Sequence, residues 1–190
     1  HISSLLETRL FFADFLNAMV DMTNEYVYLP RNVAELRQTT KFYEEVGLPS
    51  CCGSMDVVHV KWSSCPTGDH NHVKGKAGYP TLAFSCITDY NRRVIGIFGP
   101  QFGTRNDKEI VKVDPNVHHI RTGWFKDVSW RYYDDDGRVK KERGAYLICD
   151  NGYHRWPTSI SPYANADCAS HEGYFSTNLE SVRKDVEFTF

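Results

Sequence analysis

Three acidic residues stand where one chain could gather them for chemistry: Asp56, Asp150 and Glu187. Asp56 falls inside an apolar, strand-like run from Met55 to Val60. Asp150 directly follows a short apolar strand, Ala145 to Cys149. Glu187 comes one residue after Val186, a member of an apolar helical stripe. Carboxylates at strand ends and on a facing helix can converge on one cleft. Brought together alone, they repel, and some are driven to protonate. A divalent cation removes that conflict, because carboxylate oxygens are hard ligands suited to Mg2+ or Mn2+. Two such ions can activate a water and stabilise the leaving oxygen when a phosphodiester is cut.

Each acid taken singly also has an ordinary reading. Asp56 fits the solvated face of an amphipathic strand. Asp150, ahead of Asn151-Gly152, fits a turn. Glu187 could pair with Arg183 one turn earlier, a surface contact of about 0.3–0.5 kcal/mol. Spacing alone leaves both readings open.

The elements that would have to position these acids follow from periodicity. Residues 2–20 carry a helical stripe of Ile2, Leu5, Leu6, Phe12, Leu16, Met19 and Val20. A second helix is expected from Asn32, a capping side chain with Glu35 three residues on, and Gly47 and Pro49 end it. From Ser54 the pattern turns to strand. Residues 63–80 read as a polar loop, Thr81 to Thr88 as a strand, Asp89 to Asn91 as a turn, and Arg92 to Phe98 as the returning strand. A short helix is expected after Asn106, and a charged hairpin over 128–143 turns at Asp136-Gly137. Phe175, Leu179, Val182, Val186 and Phe190 form one helical face. Helices therefore precede an α/β core: residues 1–47 as a helical N-terminal region, and 48–190 as a mixed sheet flanked by helices.

Length and composition agree with a folded core of this size: 190 residues, 41% of them hydrophobic. No run of 18 apolar residues occurs, so no membrane span is expected. A chain that starts at His1 and runs into an apolar helical pattern at Phe190 is expected to be a piece of a longer protein. The net charge of −2 argues mildly against a nucleic-acid-binding domain. Local basic pairs such as Arg92-Arg93, Lys140-Lys141 and Arg183-Lys184 could still form a basic face beside an acidic cleft. Six cysteines without a secretory leader pattern fit a reduced, intracellular protein. Cys51, Cys52, Cys65, His70 and His72 crowd one region but lack Cys-x-x-Cys spacing, so a zinc site is the weaker chemistry. No nucleophile elbow and no Gly-rich phosphate loop is present.

The words around the acids add to this reading. Gly53-Ser54-Met55-Asp56-Val57-Val58-His59-Val60 resembles the first catalytic motif of PIF/Harbinger-type transposases. Tyr79 to Phe84 and Asp89 to Arg93 resemble the hairpin of that family, and Gly99 to Lys108 its Pro-Gly-Ser-x-x-Asp region. Gly144 to Tyr153 with His154-Arg155-Trp156-Pro157 resembles the second motif, and Ser181 to Phe190 the third. The resemblance covers about residues 47–190. Departures are Val57, where many members have Gly, and Asn151, where Ser, Lys or Gly is common. It implies a ribonuclease H-like fold in which Asp56, Asp150 and Glu187 bind the metal, Mg2+ or Mn2+. It also implies a nuclear DNA endonuclease and transposase that acts on double-stranded DNA at terminal inverted repeats and transfers the freed 3′ hydroxyl. A Myb-like accessory protein and a homo-oligomer are partners it allows. The alternative is a domesticated, non-catalytic relative that binds DNA or protein.

Arg105, Lys108, Arg183 and Lys184 are the candidates for phosphate contacts, which would make binding salt-dependent. Asp107 could hold a metal-bound water, or cap the helix after Asn106. His59, three residues from Asp56, falls on the opposite face of a regular strand and reads as structural. Tyr153 and Trp156 could stack on bases, though core packing suits them better.

Overall fold

The computed structural model describes residues 4–134 and 136–190. In chain order its elements are α1 (Leu5–Tyr26), α2 (Val33–Glu45), β1 (Cys51–Lys61), α3 (His70–Val73), β2 (Thr81–Thr88) and β3 (Val94–Phe102). Next come α4 (Asp107–Val113), α5 (Pro115–Thr122), a 3-10 turn at Trp124–Asp127, β4 (Ser129–Tyr133) and β5 (Val139–Arg143). The chain finishes with β6 (Tyr146–Ile148), β7 (Ser159–Ile160) and α6 (His171–Glu187). Strand boundaries move by a few residues from those expected: β1 begins at Cys51 instead of Ser54, and β3 runs on to Phe102.

Five strands form one mixed sheet in the order β3-β2-β1-β6-β7. β1, β2 and β3 are antiparallel neighbours, while β6 runs parallel to β1, and β7 parallel to β6. The hairpin β4-β5 stands apart as its own two-stranded sheet, and Gly137 in its turn takes φ +74°, a conformation that favours glycine. Gly53 of the first motif has a packing reason: a Cβ there would lie 2.7 Å from the Thr88 carbonyl oxygen of β2.

Helices cover both faces of the sheet. On one face Met55, Ile87, Leu147 and Cys149 pack with Val111, Val117, Ile120 and Phe125 from α4, α5 and the 3-10 turn. On the other, Cys51 and Ile148 pack with Tyr43 of α2 and Leu179 of α6. This is a ribonuclease H-like α/β architecture preceded by helix. Caps fix the helix starts. Asn32 Oδ1 accepts from the Glu35 amide at 2.9 Å, as its spacing predicts, and Ser170 Oγ accepts from Gly173 at 3.0 Å. Asp114 caps α5 and accepts the Ser85 hydroxyl of β2 at 2.7 Å, tying that helix to the sheet.

Two expectations about apolar stripes need correction. The stripe on the first helix buries nothing: α1 has no buried residue among those described, and Leu5, Phe11, Phe12 and Val20 are exposed. Ile2, which was expected to start that stripe, lies outside the described residues. In the last helix the apolar face ends at Val186. Phe190 lies past the helix end and is half exposed.

Leu179 is fully buried and anchors α6 on the sheet. We expect Leu179→Ala to cost about 2–5 kcal/mol, and Phe190→Ala to stay within about 0.5 kcal/mol. Urea unfolding of the two variants checks the contrast.

Candidate active site

β1 and β6 run side by side in the same direction, and Ser54 pairs with Ile148. Two residues on from this pair stand Asp56, inside β1, and Asp150, just past the end of β6, so the parallel register brings the two acids side by side. Side chains alternate along a strand, which puts Asp56 on the face covered by α6. The charge of Asp150 reaches Asp56.

The Asp56 carboxylate is half-buried and its two oxygens have separate partners. Oδ1 accepts from the Val57 amide at 2.9 Å and from the Tyr153 hydroxyl at 2.8 Å. Oδ2 faces α6, 3.9 Å from Nη1 of Arg183. Burial raises the Asp56 pKa, the bonds from Tyr153 and Val57 and the charge of Arg183 lower it, and Asp150 raises it; the net shift is upward. Burial likewise holds the Tyr153 phenol well above its ordinary pKa, so it remains a proton donor to Asp56. Asp150 Oδ1 accepts from the Gly152 amide at 2.6 Å, an Asx turn that fixes the side chain as the chain leaves β6. Beside it, burial pushes the Cys149 thiol up to about 12, which removes it as a thiolate at neutral pH.

Glu187 reaches this cluster through Arg183. Nη2 of Arg183 lies 2.6 Å from Glu187 Oε1 and 3.1 Å from Glu180 Oε2, and Nε also bonds Glu180 at 3.1 Å. The pairing of Glu187 with Arg183 is as the spacing suggests, with Glu187 exposed and Arg183 buried. Arg183 is 8% exposed and its guanidinium lies among three carboxylates. Burial opposes its charge, and Glu180 and Glu187 more than compensate, so its pKa is raised. Among the described residues no three His, Cys, Asp or Glu side chains converge as a formed metal-ion site. The donors nevertheless suit a divalent ion: all are hard carboxylate oxygens, and a cation of this chain, Arg183, already lies between Asp56 and Glu187.

The remaining sequence candidates take distinct places. Arg105 and Lys108 are exposed at the junction of β3 and α4, with Arg105 donating to Gln101 at 2.6 Å. The Lys108 carbonyl lies 3.2 Å from His154 Nε2, which joins the start of α4 to the loop after Asp150. Lys184 is exposed and lines an open cleft of about 630 Å³ together with Asn151, Pro162 and Glu180. Arg183, expected to meet phosphates, is instead turned inward onto acids, because its place on α6 faces the sheet. Asp107 does not cap α4. Asn106 does, accepting from the Lys108 amide at 2.9 Å, and Asp107 lies 3.0 Å from His59 Nε2. His59, with Thr81 Oγ1 3.3 Å from its Nδ1, holds β1 to α4 on the face opposite Asp56. Cys51 and Cys52 are the first two residues of β1 and are buried in the core.

Two functional neighbours escaped the sequence reading. Tyr153 reads as packing, but its hydroxyl holds Asp56; nothing in its spacing marks that bond. Glu180 lies three residues before Arg183 and seven before Glu187, a spacing that places all three on one helix face.

One acid inside β1 and one just past the end of its parallel neighbour β6, with the acid-bearing α6 packed over them, define a ribonuclease H-like protein with a cluster of carboxylates. The chain matches the plant transposon protein family over residues 24–190 and belongs to that family, in agreement with the Harbinger resemblance of its motifs. It is similar to Protein ALP1-like of Arabidopsis thaliana, 21% identical over 179 residues, which is 91% of this chain and 41% of the relative. The chain thus spans about two fifths of the length of the curated relative it matches. No solved structure matches it.

The raised Asp56 pKa has a consequence for stability. The folded state holds this proton more tightly than the unfolded state, so the contribution of Asp56 falls as pH rises from the ordinary carboxylate range through its raised value. Without metal, Asp56→Asn is therefore expected to melt at or above the wild-type temperature at pH 7, with the difference shrinking towards pH 3. Thermal melts across that range in chelator check it; a variant less stable at pH 7 than at pH 3, relative to wild type, contradicts it.

Proposed function

We propose that this chain is the catalytic core of a metal-dependent DNA endonuclease and transposase, with Asp56, Asp150 and Glu187 as its active-site acids. The observation that carries the reading is the register of β1 and β6, which sets Asp56 and Asp150 abreast under α6. Membership of a transposon protein family supports the same reading. The substrate would be double-stranded DNA in the nucleus, cut at the ends of an element.

Asp56 and Asp150 would hold Mg2+ or Mn2+, with Glu187 completing the set once Arg183 releases it. When bound, such ions polarise the scissile phosphate and lower the pKa of the attacking water. The chain's own contribution is placement. Tyr153 and the Val57 amide fix one oxygen of Asp56 and leave the other facing Arg183. The Asx turn at Gly152 fixes Asp150. Lys184, exposed beside Asn151 in a neighbouring open cleft, would meet a phosphate, as would Arg105 and Lys108 at the start of α4. Water attack on phosphorus would break the bond to the 3′ oxygen, and the freed 3′ hydroxyl would be the nucleophile of strand transfer.

A second reading, a non-catalytic relative that binds DNA or protein, is favoured by one observation. Arg183 already pairs with two of the acids, Asp56 and Glu187, without any added cation.

Metal dependence separates the two. A ligand at 100 times its dissociation constant adds about 2.7 kcal/mol of stability, which is roughly 5–10 °C for a chain of this size. We expect Mn2+ or Mg2+ to raise the wild-type melting temperature and to leave Asp56→Asn unmoved. No rise in either protein favours the non-catalytic reading. In a plasmid-nicking assay with Mn2+, Asp150→Ala is expected to abolish cleavage while its circular dichroism stays native. Cleavage retained by that variant sinks the catalytic assignment. Tyr153→Phe, which frees the Asp56 carboxylate to turn, is expected to weaken metal affinity roughly 10–100-fold, as read by calorimetric titration.

A further inference from the structure

We propose that Arg183 is a built-in counter-cation, holding Asp56 and Glu187 together in the metal-free protein and competing directly with the metal for them. The inference rests on the metal-site reading above and adds to it what sets the metal affinity.

Arg183 touches three carboxylates. It meets Glu187 Oε1 at 2.6 Å, Glu180 Oε2 at 3.1 Å and Asp56 Oδ2 at 3.9 Å, and is itself 8% exposed. Asp56, Glu180 and Glu187 around no cation would repel in a partly dry site. A single guanidinium, with a planar fork of donors, can serve all three at once. The oxygens it uses include Asp56 Oδ2, the oxygen left free by Tyr153 and Val57, and Glu187 Oε1. Those are the oxygens a divalent ion would need. Two cations cannot share them, so each weakens the other by the same factor.

Glu180 gives the displaced guanidinium somewhere to go. It bonds Arg183 through both Nε and Nη2, is part exposed, and lines the open cleft beside Asn151 and Lys184. Withdrawal towards Glu180 would free Asp56 and Glu187 without leaving Arg183 buried and unpaired. Loading of metal thus becomes an exchange of cations, with Arg183 setting its threshold.

The test is Mn2+ binding by isothermal titration calorimetry and by thermal melts on the 190-residue chain. Arg183→Gln is expected to melt lower than wild type in chelator, to bind Mn2+ roughly tenfold more tightly, and to gain more from saturating Mn2+. Arg183→Lys keeps the charge but loses the fork, and is expected to bind Mn2+ with an affinity between those of wild type and Arg183→Gln. If Arg183→Gln binds Mn2+ equally or more weakly while the wild type binds, competition is overturned and Arg183 is merely a brace for Glu187. If Arg183→Lys binds as tightly as Arg183→Gln, charge competition is overturned too. If neither wild type nor variant binds Mn2+, the metal-site reading itself fails, and this inference with it. A measurement free of any folding defect uses the wild type alone. Titration with Mg2+ is expected to shift the Arg183 Nε–H resonance in the nitrogen–proton spectrum, and a resonance unmoved at saturation overturns the exchange.

Discussion

Everything around the cleft follows from the cost of holding carboxylates close together in a partly buried place. The register of β1 and β6 brings Asp56 and Asp150 side by side, two residues past the last paired positions, Ser54 and Ile148. Their mutual repulsion is therefore built in by the same hydrogen bonds that make the sheet. The structure meets it with donors: the Val57 amide and Tyr153 hydroxyl on Asp56, the Gly152 amide on Asp150, and the Arg183 guanidinium across Asp56, Glu180 and Glu187. Even so, burial leaves Asp56 with a raised pKa, so the compensation is incomplete.

The fold divides its labour around this constraint. The sheet supplies fixed positions, because a parallel pair with helices on both faces is buried on both sides and cannot slip without exposing core residues. α6 supplies the adjustable part. Its buried side, Leu179 and Val186, fixes the helix on the sheet. Its acidic side carries Glu180 and Glu187 on long side chains that can change rotamer without moving the backbone. A rigid pair of short aspartates and a flexible glutamate would suit a site that exchanges one cation for another.

How far the sequence reveals this depends on the range of the interaction. Local signals are legible: Asn32 with Glu35 as a cap, Asp136-Gly137 as a hairpin turn, and the period of Leu179 and Val186 on α6. The strand–hairpin–helix order and the motif words suffice for the ribonuclease H-like class. What could not be read is long-range or depends on which faces meet. The stripe on α1 has the composition of a core helix, yet it covers nothing in this chain, because periodicity reports a face and not its partner. Arg183 has the look of a surface cation one turn from Glu187, and only the docking of α6 on β1 reveals that it is enclosed. Tyr153 and Asp56 are 97 residues apart in sequence, and no local pattern encodes their bond. Asp107 and His59 likewise read as a cap and a strand residue until α4 is laid against β1.

The buried arginine also bears on why a carboxylate site can persist through folding, before any metal is bound. During folding, α6 must dock with two acids facing two others, and bare charges there would oppose the step. Arg183 docks as part of the same helix and brings its own positive charge, so α6 can close on the sheet without an external ion. On the proposed reading the same residue would then limit how tightly an ion binds, since it already pairs with Asp56 and Glu187. Stability of the empty site and affinity of the filled one are thus opposed through one side chain, as is common where function depends on a strained arrangement. Arginine suits this compromise better than lysine. Its fork spans several carboxylates at once, it never loses its proton at physiological pH, and with Glu180 beside it the charge is never left without a partner.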